Sequence, residues 1–267
     1  MQPNENKSGI FAGVKKTASK KLKKFPPMEL RRLEDQVALV TGGSRGIGLA
    51  VARALAREGA TVILTGRDEK ALRRASEEIN REGGATVSHA CDVREEDSVE
   101  ELFETVRRHF PSLDVLINNA GIAQTSASVE RLSVEQWRAT IETNLTGAFL
   151  CTQAALPMMR RGATIVNNVS VAATTPFAGM AAYNASKAGL LAFTNTLREE
   201  LRGRGIRVIA FTPGATDTDI WKQFWKDAPR EKMMSAESVA DALVAALTLP
   251  ANATVQDLVI TPTGGAL

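Results

Sequence analysis

From residue 36 onward, short runs rich in β-branched residues alternate with longer stretches of helical periodicity. Most of the short runs are continuously apolar, which is typical of parallel strands covered on both faces. Because helices of this length connect parallel strands through right-handed crossovers, the pattern predicts an α/β fold: one doubly wound domain with a seven-stranded parallel sheet flanked by helices. The predicted strands are 36–40, 60–65, 85–90, 114–118, 163–169, 206–211 and 257–261. The predicted helices are 46–58, 68–82, 95–110, 134–160, 181–203 and 236–247.

The composition argues against several classes of protein. The 267 residues are 44% hydrophobic and 24% charged, as in soluble globular proteins. No apolar run approaches the ~20 residues of a membrane-spanning helix, and the first residues lack the apolar core of a secretory signal. The two cysteines and two histidines have no metal-ligand spacing, so we expect reduced thiols, no metal ion and a cytoplasmic location.

Residues 1–27 form a basic tail on a mildly acidic body. They hold seven lysines and one glutamate, a net charge of +6, whereas the whole chain carries +3. The apolar residues of the tail fall near one face of a helix, which would suit contact with an anionic membrane; a flexible solubilising tail is the simpler interpretation. Pro26 and Pro27 separate the tail from the body. Residues 28–267 are therefore predicted to be the functional domain, with no nucleic-acid partner.

A glycine-rich turn joins the first predicted strand to the first predicted helix. It reads Thr41-Gly42-Gly43-Ser44-Arg45-Gly46-Ile47-Gly48. Glycines let a backbone turn sharply and approach a pyrophosphate closely, and the helix N-terminus that follows offers free N–H groups and a partial positive charge. The turn lacks the Gly-Lys-Ser/Thr sequence of nucleotide triphosphatases. The strand–turn–helix context therefore predicts dinucleotide binding in a Rossmann fold.

The end of the second predicted strand indicates which dinucleotide binds. NAD-specific sites place a carboxylate there for the ribose 2′-hydroxyl, but this chain ends the strand with Gly66-Arg67. Arg67, together with Ser44 and Arg45 of the glycine turn, would instead bind a 2′-phosphate. Charge-assisted bonds of about 1.5–3 kcal/mol correspond to a roughly 10–150-fold preference. We predict NADP(H) as the cofactor, with Arg67 as a solvent-exposed strand cap the alternative.

Tyr183 and Lys187 share one face of a predicted helix because they are four residues apart. Ser170 lies thirteen residues before Tyr183, just past the fifth predicted strand, at the edge where open α/β sheets bind ligands. A tyrosine is a poor acid–base group near neutral pH, and a neighbouring ammonium with a nicotinamide cation would lower its pKa. By itself, a Tyr/Lys pair at this spacing is more often plain helix surface.

Together these motifs resemble the single-domain branch of the short-chain dehydrogenase/reductase family, over about residues 34–264. The family's glycine motif matches 41–48, and its Asp-Val, Asn-Asn-Ala-Gly and Pro-Gly motifs match 92–93, 118–121 and 213–214. The resemblance implies a catalytic tetrad of Asn144, Ser170, Tyr183 and Lys187. The cofactor contacts predicted from the glycine turn and from the resemblance are Gly42, Ser44, Arg45, Gly46, Ile47, Gly48, Arg67, Asp92, Val93, Asn119, Ala120, Gly121, Tyr183, Lys187, Pro213, Gly214, Thr216 and Thr218.

The resemblance also implies a mechanism. NADPH would deliver a hydride to a carbonyl carbon while Tyr183 protonates its oxygen, giving an alcohol in a reversible reaction. Ser170 would hydrogen-bond the same oxygen, and Lys187 would lower the pKa of Tyr183 and hold the ribose. Asn144 would anchor a water that links Lys187 to solvent, and Asp92 would accept a hydrogen bond from the adenine amino group.

The segment 217–234 corresponds to the lid that covers the substrate in this family. It carries Trp221, Phe224 and Trp225, which would line an apolar substrate pocket; packing of a short helix onto the body is the alternative. The rest of the chain is similar to NADPH-dependent 3-oxoacyl-(acyl carrier protein) reductases, but the lid is shorter than theirs, which disfavours an acyl-carrier substrate.

Assembly and two further functions follow from the same resemblance. The helices at 134–160 and 181–203 match those that form four-helix interfaces in family dimers and tetramers, so we expect a homo-oligomer. One alternative function is an NADP(H)-binding sensor or scaffold without turnover, although Ser170, Tyr183 and Lys187 are all present. The other is a membrane-docked reductase of lipid-like carbonyls that uses the basic tail.

Overall fold

A computed structural model describes residues 32–250 and 252–265. The basic tail, and with it the prediction of membrane contact by residues 1–27, lies outside the described residues. The described chain alternates strands and helices from Val37 onward, in the order that the sequence predicts.

Seven strands form one parallel sheet in the order β3-β2-β1-β4-β5-β6-β7. The strand order reverses between β1 and β4, which makes the fold doubly wound and confirms the predicted fold class. The strands are β1 (Val37–Thr41), β2 (Thr61–Gly66), β3 (Ala85–Ala90), β4 (Val115–Asn118), β5 (Thr164–Asn168), β6 (Arg207–Pro213) and β7 (Asp257–Ile260).

Eight α-helices are described. They are α1 (Gly46–Arg57), α2 (Glu69–Arg81), α3 (Glu96–His109), α4 (Val134–Ile141), α5 (Gly147–Ala155), α6 (Ala181–Leu201), α7 (Trp221–Phe224) and α8 (Ala236–Leu247). Short 3₁₀ turns occur at Val129–Arg131, Leu156–Met158, Val171–Ala173 and Arg230–Lys232. None of the described helices combines the length and the apolar character that crossing a membrane requires.

The core lies in two layers, one on each face of the sheet. Helices α1, α2 and α8 cover one face, where Leu55, Leu72 and Leu243 are fully buried. Helices α3, α5 and α6 cover the other face, where Phe103 and Cys151 are fully buried. Because helices cover both faces, a ligand has access to the sheet only at the ends of the strands. In open α/β sheets, ligands bind at the carboxyl ends.

The expectation that the strands are covered on both faces is not met at the two edges of the sheet. On β3 the residues are mostly exposed, and Val87 is 46% exposed; on β7, Val259 is 62% exposed. Both strands have a neighbour on one side only within the described sheet. On β3 only Thr86 is buried and on β7 no residue is, whereas the central strands β1 and β4 are continuously buried.

The long helix predicted at 134–160 is interrupted. Helix α4 passes into a π turn at Glu142–Thr146 before α5 begins, and a 3₁₀ turn that contains Pro157 follows α5. A π turn adds one residue to the helical repeat and re-aims the side chains within it, and such turns are frequent at functional sites. Here the turn contains Asn144, a predicted member of the catalytic tetrad.

Candidate active site

One cleft of about 940 Å³ runs along the carboxyl edge of the sheet and crosses the point where the strand order reverses. Open α/β sheets bind their ligands at this position. Every residue predicted to contact a cofactor lines the cleft, and so does Ser170. Asn144 is the one predicted residue that does not line it; it lies buried next to Gly121.

At Gly42 and Gly48 the turn after β1 is packed too closely to accommodate a side chain. Gly42 and Gly46 have left-handed φ angles of 65° and 56°. A Cβ atom on Gly48 would overlap the Gly42 carbonyl oxygen and the Asn119 amide nitrogen, and one on Gly42 would lie 3.0 Å from Ala120 Cα. The glycines therefore leave the main chain of the turn open to a ligand in the cleft.

The N-terminus of α1 opens on the same end of the cleft. Arg45 occupies its N-cap position without a capping bond from its side chain, and the first turn of the helix holds no acidic residue. Gly46 and Ile47, at the start of the helix, line the cleft. Unpaired amide N–H groups and the positive end of the helix dipole suit an anion, so this end fits the pyrophosphate of a dinucleotide.

The end of β2 presents positive charge to the cleft. Arg67 follows the strand, Arg45 belongs to the glycine turn, and both side chains are exposed and line the cleft. Asp68 is the nearest acid, but its carboxylate accepts a hydrogen bond from the Ala71 amide at 3.0 Å and caps α2. Two guanidinium groups fit a ribose 2′-phosphate better than a free 2′-hydroxyl.

Asp92 lies after β3 and is ionised. Arg94 Nη2 donates to Asp92 Oδ2 at 2.6 Å, and Arg94 Nε donates to both carboxylate oxygens. This hydrogen-bonded guanidinium, more than the distant charge of Arg67, lowers the pKa of Asp92. The carboxylate lines the cleft, where the predicted bond to an adenine amino group stays a prediction.

Asn119 links the glycine turn to the other end of the cleft. Its Nδ2 donates to the main-chain oxygens of Thr41 at 2.9 Å and Gly42 at 3.3 Å, while its Oδ1 accepts from Asn168 Nδ2 at 2.9 Å. Asn168 is the last residue of β5, two residues before Ser170. One side chain therefore fixes the distance between the ends of β1 and β5.

Ser170 follows β5 in a conformation that residues with side chains rarely adopt. Its φ is 92° and its ψ is 150°. Its Oγ accepts a hydrogen bond from the Ala172 amide at 3.3 Å, at the start of a 3₁₀ turn. Because a non-glycine residue in this region costs about 1–3 kcal/mol, the hydroxyl is placed at the cleft by a strained backbone.

Lys187 is a buried cation on α6, with 4% of its surface exposed. Its Nζ donates to the Asn168 carbonyl oxygen at 2.7 Å and lies 5.7 Å from the centroid of the Tyr183 ring. Burial lowers the pKa of Lys187 to about 8. The ammonium form therefore still predominates near neutral pH, one helical turn from the phenol.

The pKa of Tyr183 is raised, not lowered. Burial removes water from the phenol and raises this pKa, and the hydrogen bond with Ser170 offsets part of the effect. The lowering expected from Lys187 together with a nicotinamide cation stays a prediction; the Lys187 ammonium is directed at the Asn168 carbonyl oxygen. The groups of the chain itself therefore keep the proton on Tyr183.

Asn144 ties the loop after β4 to the catalytic helix. Its Nδ2 donates to the Ile122 carbonyl oxygen at 2.9 Å and to Ser186 Oγ at 3.0 Å, and its Oδ1 accepts from the Ile122 amide at 2.8 Å. Ser186 Oγ in turn donates to the Tyr183 carbonyl oxygen at 2.7 Å. The predicted role of Asn144 as the anchor of a water stays a prediction.

The sequence profile of the family described as short chain dehydrogenase matches residues 36–229. The chain belongs to the short-chain dehydrogenase family. It is 41% identical over 191 residues to a 3-oxoacyl-[acyl-carrier-protein] reductase of Synechocystis, an alignment that covers 70% of this chain and 77% of that protein. The resemblance inferred from the motifs is therefore confirmed.

Solved structures of other oxidoreductases share the fold. An alcohol dehydrogenase from the archaeon Thermococcus sibiricus, complexed with 5-hydroxy-NADP, is 30% identical with a TM-score of 0.81, over 87% of this chain and 98% of that one. A short chain dehydrogenase from Burkholderia cenocepacia in complex with NADP is 34% identical with a TM-score of 0.78, over 86% and 98% of the two chains.

In this short-chain dehydrogenase, apolar side chains line the cleft together with polar ones such as Ser126, Thr143 and Thr175. Trp221 Nε1 donates to the Thr216 carbonyl oxygen at 2.8 Å, and the Trp221 ring meets the Trp225 ring edge-on at 6.1 Å. The apolar side chains that line the cleft include Ile122, Val171, Phe177, Met180, Trp221 and Trp225. The predicted aromatic residues thus lie at the cleft, except that nothing is described for the Phe224 side chain.

The segment 217–234 is anchored at its base and across the cleft. Thr216 and Met234 form a bridge that closes the segment into a loop. Near its middle, Gln223 Oε1 accepts a hydrogen bond from the Ala123 amide at 3.2 Å. This bond joins the predicted lid directly to the loop after β4.

Sequence reasoning missed three residues that hold this site together. Asn168 contacts Lys187 through its main-chain carbonyl oxygen and Asn119 through its side chain, and neither contact follows from a local sequence pattern. Gln223 and Gln124 each bond to main-chain atoms of distant loops. The sequence signal is weak: Gln124 lies in a stretch of small and apolar residues, whereas Gln223 lies between a lysine and a phenylalanine.

Proposed function

We propose that this short-chain dehydrogenase is an NADP(H)-dependent oxidoreductase that interconverts a ketone or aldehyde and the corresponding alcohol. The observation that carries the proposal is the convergence of Ser170, Tyr183 and Lys187 at one end of a cleft whose other end is a glycine turn at a helix N-terminus. The first group supplies acid–base chemistry, and the second suits the pyrophosphate of a dinucleotide.

The proposed cofactor is NADP(H). Arg45 and Arg67 at the cleft, with Asp68 engaged as a helix cap, fit a 2′-phosphate, and the two similar solved structures contain NADP or an NADP derivative. When bound, NADPH supplies a hydride to the carbonyl carbon and leaves as NADP⁺. The residues that would hold it are the predicted cofactor contacts that line the cleft.

Tyr183 supplies the proton in the direction of reduction. The raised pKa of Tyr183 keeps the phenol protonated near neutral pH, so it can donate its proton as the carbonyl oxygen gains charge. Ser170 would donate a hydrogen bond to the same oxygen. The carbonyl thus gains a hydride at carbon and a proton at oxygen, which balances the reduction to an alcohol.

The proposed substrate is a neutral, apolar carbonyl compound beneath a lid formed by residues 217–234. Aromatic and aliphatic side chains, among them Phe177, Trp221 and Trp225, make up a large part of the lining of the cleft. Two cations of the lid, Lys222 and Arg230, pair with Asp219 and Asp217 of the same segment. These paired cations offer little to an acidic acyl carrier, in agreement with the short lid.

We also propose a homo-oligomer, a dimer or tetramer, that associates through α4, α5 and α6. Val134, Trp137 and Phe149 on α4 and α5 are exposed, and Phe149 packs edge-on against Phe193 of α6. Exposed apolar side chains grouped on neighbouring helices are typical of subunit interfaces. A monomer in sedimentation velocity at micromolar concentration would contradict this assembly.

A cytoplasmic location completes the proposal. Cys91 and Cys151 are both buried free thiols. Free thiols are typical of proteins in a reducing compartment.

A panel of ketones, aldehydes, quinones and acyl thioesters, followed by NADPH absorbance, tests the proposed function. We expect turnover of apolar ketones or aldehydes with a higher kcat/KM for NADPH than for NADH. Tyr183→Phe should lower kcat by roughly 10²–10⁴ while the protein still binds NADPH. Tight NADPH binding without turnover of any compound would instead favour the sensor, and near-normal turnover by Tyr183→Phe would refute the role of the phenol.

A further inference from the structure

Helix α6 carries Tyr183 but begins without a cap of its own. Met180 occupies the N-cap position, and its side chain makes no capping hydrogen bond with the first turn. The first amide N–H groups of any helix lack partners within the helix, so an uncapped first turn frays. Tyr183 is the third residue of α6 and lies in this first turn.

Gln124, from the loop after β4, supplies the missing cap. Its Oε1 accepts a hydrogen bond from the Tyr183 amide at 2.8 Å, and its Nε2 donates to the Gly179 carbonyl oxygen at 3.2 Å. The side chain is 3% exposed, although it lies 59 positions before Tyr183. Only this orientation of the side-chain amide gives both main-chain groups a partner of the right kind.

We propose that Gln124 is a positioning residue that caps the catalytic helix from a distant loop and fixes the phenol of Tyr183 against the substrate. This inference rests on the proposed function for its effect on turnover, whereas the contacts of Gln124 stand independently of it. Gln124 does not line the cleft and acts only through the main chain.

The loop that carries Gln124 is itself held on both sides. Asn144 bonds to the amide and the carbonyl oxygen of Ile122, and Gln223 bonds to the Ala123 amide. Three residues later the Ala127 amide donates to the Gly179 carbonyl oxygen at 3.1 Å. A loop fixed at these points can transmit a defined position to the helix that it caps.

Both polar main-chain groups of Tyr183 form hydrogen bonds with side chains. Gln124 holds the amide, and Ser186 Oγ holds the carbonyl oxygen at 2.7 Å. The direction of a side chain follows from its backbone, and a misplacement of about 1 Å at a reacting group can lower a rate about 10²-fold. Loss of the cap should therefore slow proton transfer from Tyr183, although the phenol itself is unchanged.

Two variants separate capping from simple filling of space. Gln124→Met keeps the length of the side chain and loses both hydrogen bonds. Gln124→Glu keeps an acceptor for the Tyr183 amide and, when ionised, loses the donor to Gly179.

We expect kcat to fall roughly tenfold to hundredfold in the Met variant, with KM for the carbonyl and Kd for NADPH within about threefold of the wild-type values. The Glu variant should recover most of kcat. Gln256→Met, at an exposed position just before β7 and outside the helices of the proposed subunit interface, is the matched control.

A second measurement does not depend on turnover. Tyr183 is the only tyrosine in the chain, so the ultraviolet titration of tyrosinate reports the pKa of this phenol alone. In Gln124→Met the fraying of the first turn should admit water and lower the pKa of Tyr183 toward its ordinary value. In Gln124→Glu it should stay raised. If the wild-type protein reduces no carbonyl, the proposed function fails, and the titration still decides whether Gln124 positions Tyr183.

The outcomes that would overturn the proposal are distinct. An unchanged kcat and an unchanged phenol titration in Gln124→Met would show that the cap does not position Tyr183. Equal losses in the Met and Glu variants, in proportion to a lowered Tm, would show a merely structural role. If the Met variant does not fold, the Glu variant decides: kcat within about threefold of wild type supports the cap, and a hundredfold loss in a folded protein contradicts it.

Discussion

At one end of the cleft the backbone turns at glycines, whereas at the other end it turns at a serine. Gly42 and Gly46 adopt left-handed φ angles, which glycine does without steric strain. Ser170 adopts a φ of 92° with a side chain attached, and nearby Lys187 is buried as a cation. The first end offers main-chain groups to a ligand. The second end presents a hydroxyl, a phenol and an ammonium to the cleft. The backbone is strained at Ser170, and Tyr183 and Lys187 are desolvated.

The two ends also differ in how they are held. The glycine turn is held mainly through main-chain groups: it packs closely against Asn119 and Ala120, and the Gly43 amide donates to the Thr65 carbonyl oxygen at 3.1 Å. The catalytic end depends on side chains from several loops, among them Gln124, Asn144 and Asn168. Substitutions at the glycine end should therefore disturb packing, whereas substitutions at the catalytic end should relieve strain or desolvation while they impair function.

Gly48→Ala is the most damaging change that we expect at the glycine end. The new methyl group would overlap the Gly42 carbonyl oxygen and the Asn119 amide, neither of which can move without opening the turn. The free energy of unfolding in urea should fall by about 3 kcal/mol, and Kd for NADPH should rise by about tenfold or more. Gly203→Ala, where a Cβ meets nothing within 4 Å, should change stability by less than about 0.5 kcal/mol. Equal effects of the two substitutions would contradict the close packing of the turn.

Lys187→Met tests the cost of the buried ammonium at the catalytic end. The pKa of Lys187 is about 8 in the folded protein, below its ordinary value of 10.5, so between these values the unfolded chain binds more protons. The free energy of unfolding of the wild type should therefore rise with pH in this interval. Between pH 7 and about 9.5 the gain relative to Lys187→Met should reach about 2 kcal/mol.

Parallel urea titrations of the wild type and Lys187→Met measure this difference. The range stays below the ordinary pKa of tyrosine because the raised pKa of Tyr183 acts with the opposite sign above it, where stability falls as pH rises. Identical pH slopes for the two proteins would mean that the ammonium is not desolvated.

The contrast between the two ends also explains how much the sequence could predict. The glycine turn and the Tyr183–Lys187 pair are short, contiguous patterns, so the sequence predicts both of them and the cleft that they share. The contacts of Gln124 with Tyr183 and of Gln223 with Ala123 span 59 and 100 positions. No local pattern connects such residues, because the connection exists only once the strands have aligned the loops.

The same limit applies to features that depend on the folded chain as a whole. The order of strands and helices along the chain followed from the alternation of patterns, but the exposure of β3 and β7 depends on which strands lie at the edges of the sheet. The raised pKa of Tyr183 depends on how much water the fold removes from the phenol. The φ of Ser170 is opposite to the preference of its residue type, so propensity could not predict it.

Arg67→Ala would sharpen the assignment of charge at the glycine end. Removal of one guanidinium from the end of β2 should lower the ratio of kcat/KM for NADPH to that for NADH by about tenfold, which corresponds to about 1.4 kcal/mol. The fold should be unaffected because the side chain is exposed. Arg73→Ala, on the exposed surface of α2 and away from the cleft, should leave the ratio unchanged. If the ratio of kcat/KM for NADPH to that for NADH were unchanged in Arg67→Ala, the 2′-phosphate would not bind at Arg67.

Ser170→Gly and Ser170→Ala, compared with each other, isolate the strain at the catalytic end. Both remove the hydroxyl and its bond with the Ala172 amide, so both should lose most turnover. They differ in backbone: alanine keeps the strained φ of 92°, whereas glycine adopts it freely. Relief of about 1–3 kcal/mol of strain, less about 0.5–1 kcal/mol for the greater flexibility of unfolded glycine, should make the Gly variant about 1 kcal/mol more stable than the Ala variant. Urea unfolding of the pair measures this difference. If the Gly variant were the less stable of the two, the backbone at Ser170 would be relaxed, and the proposed distinction between a glycine-built end and a strained catalytic end would fail.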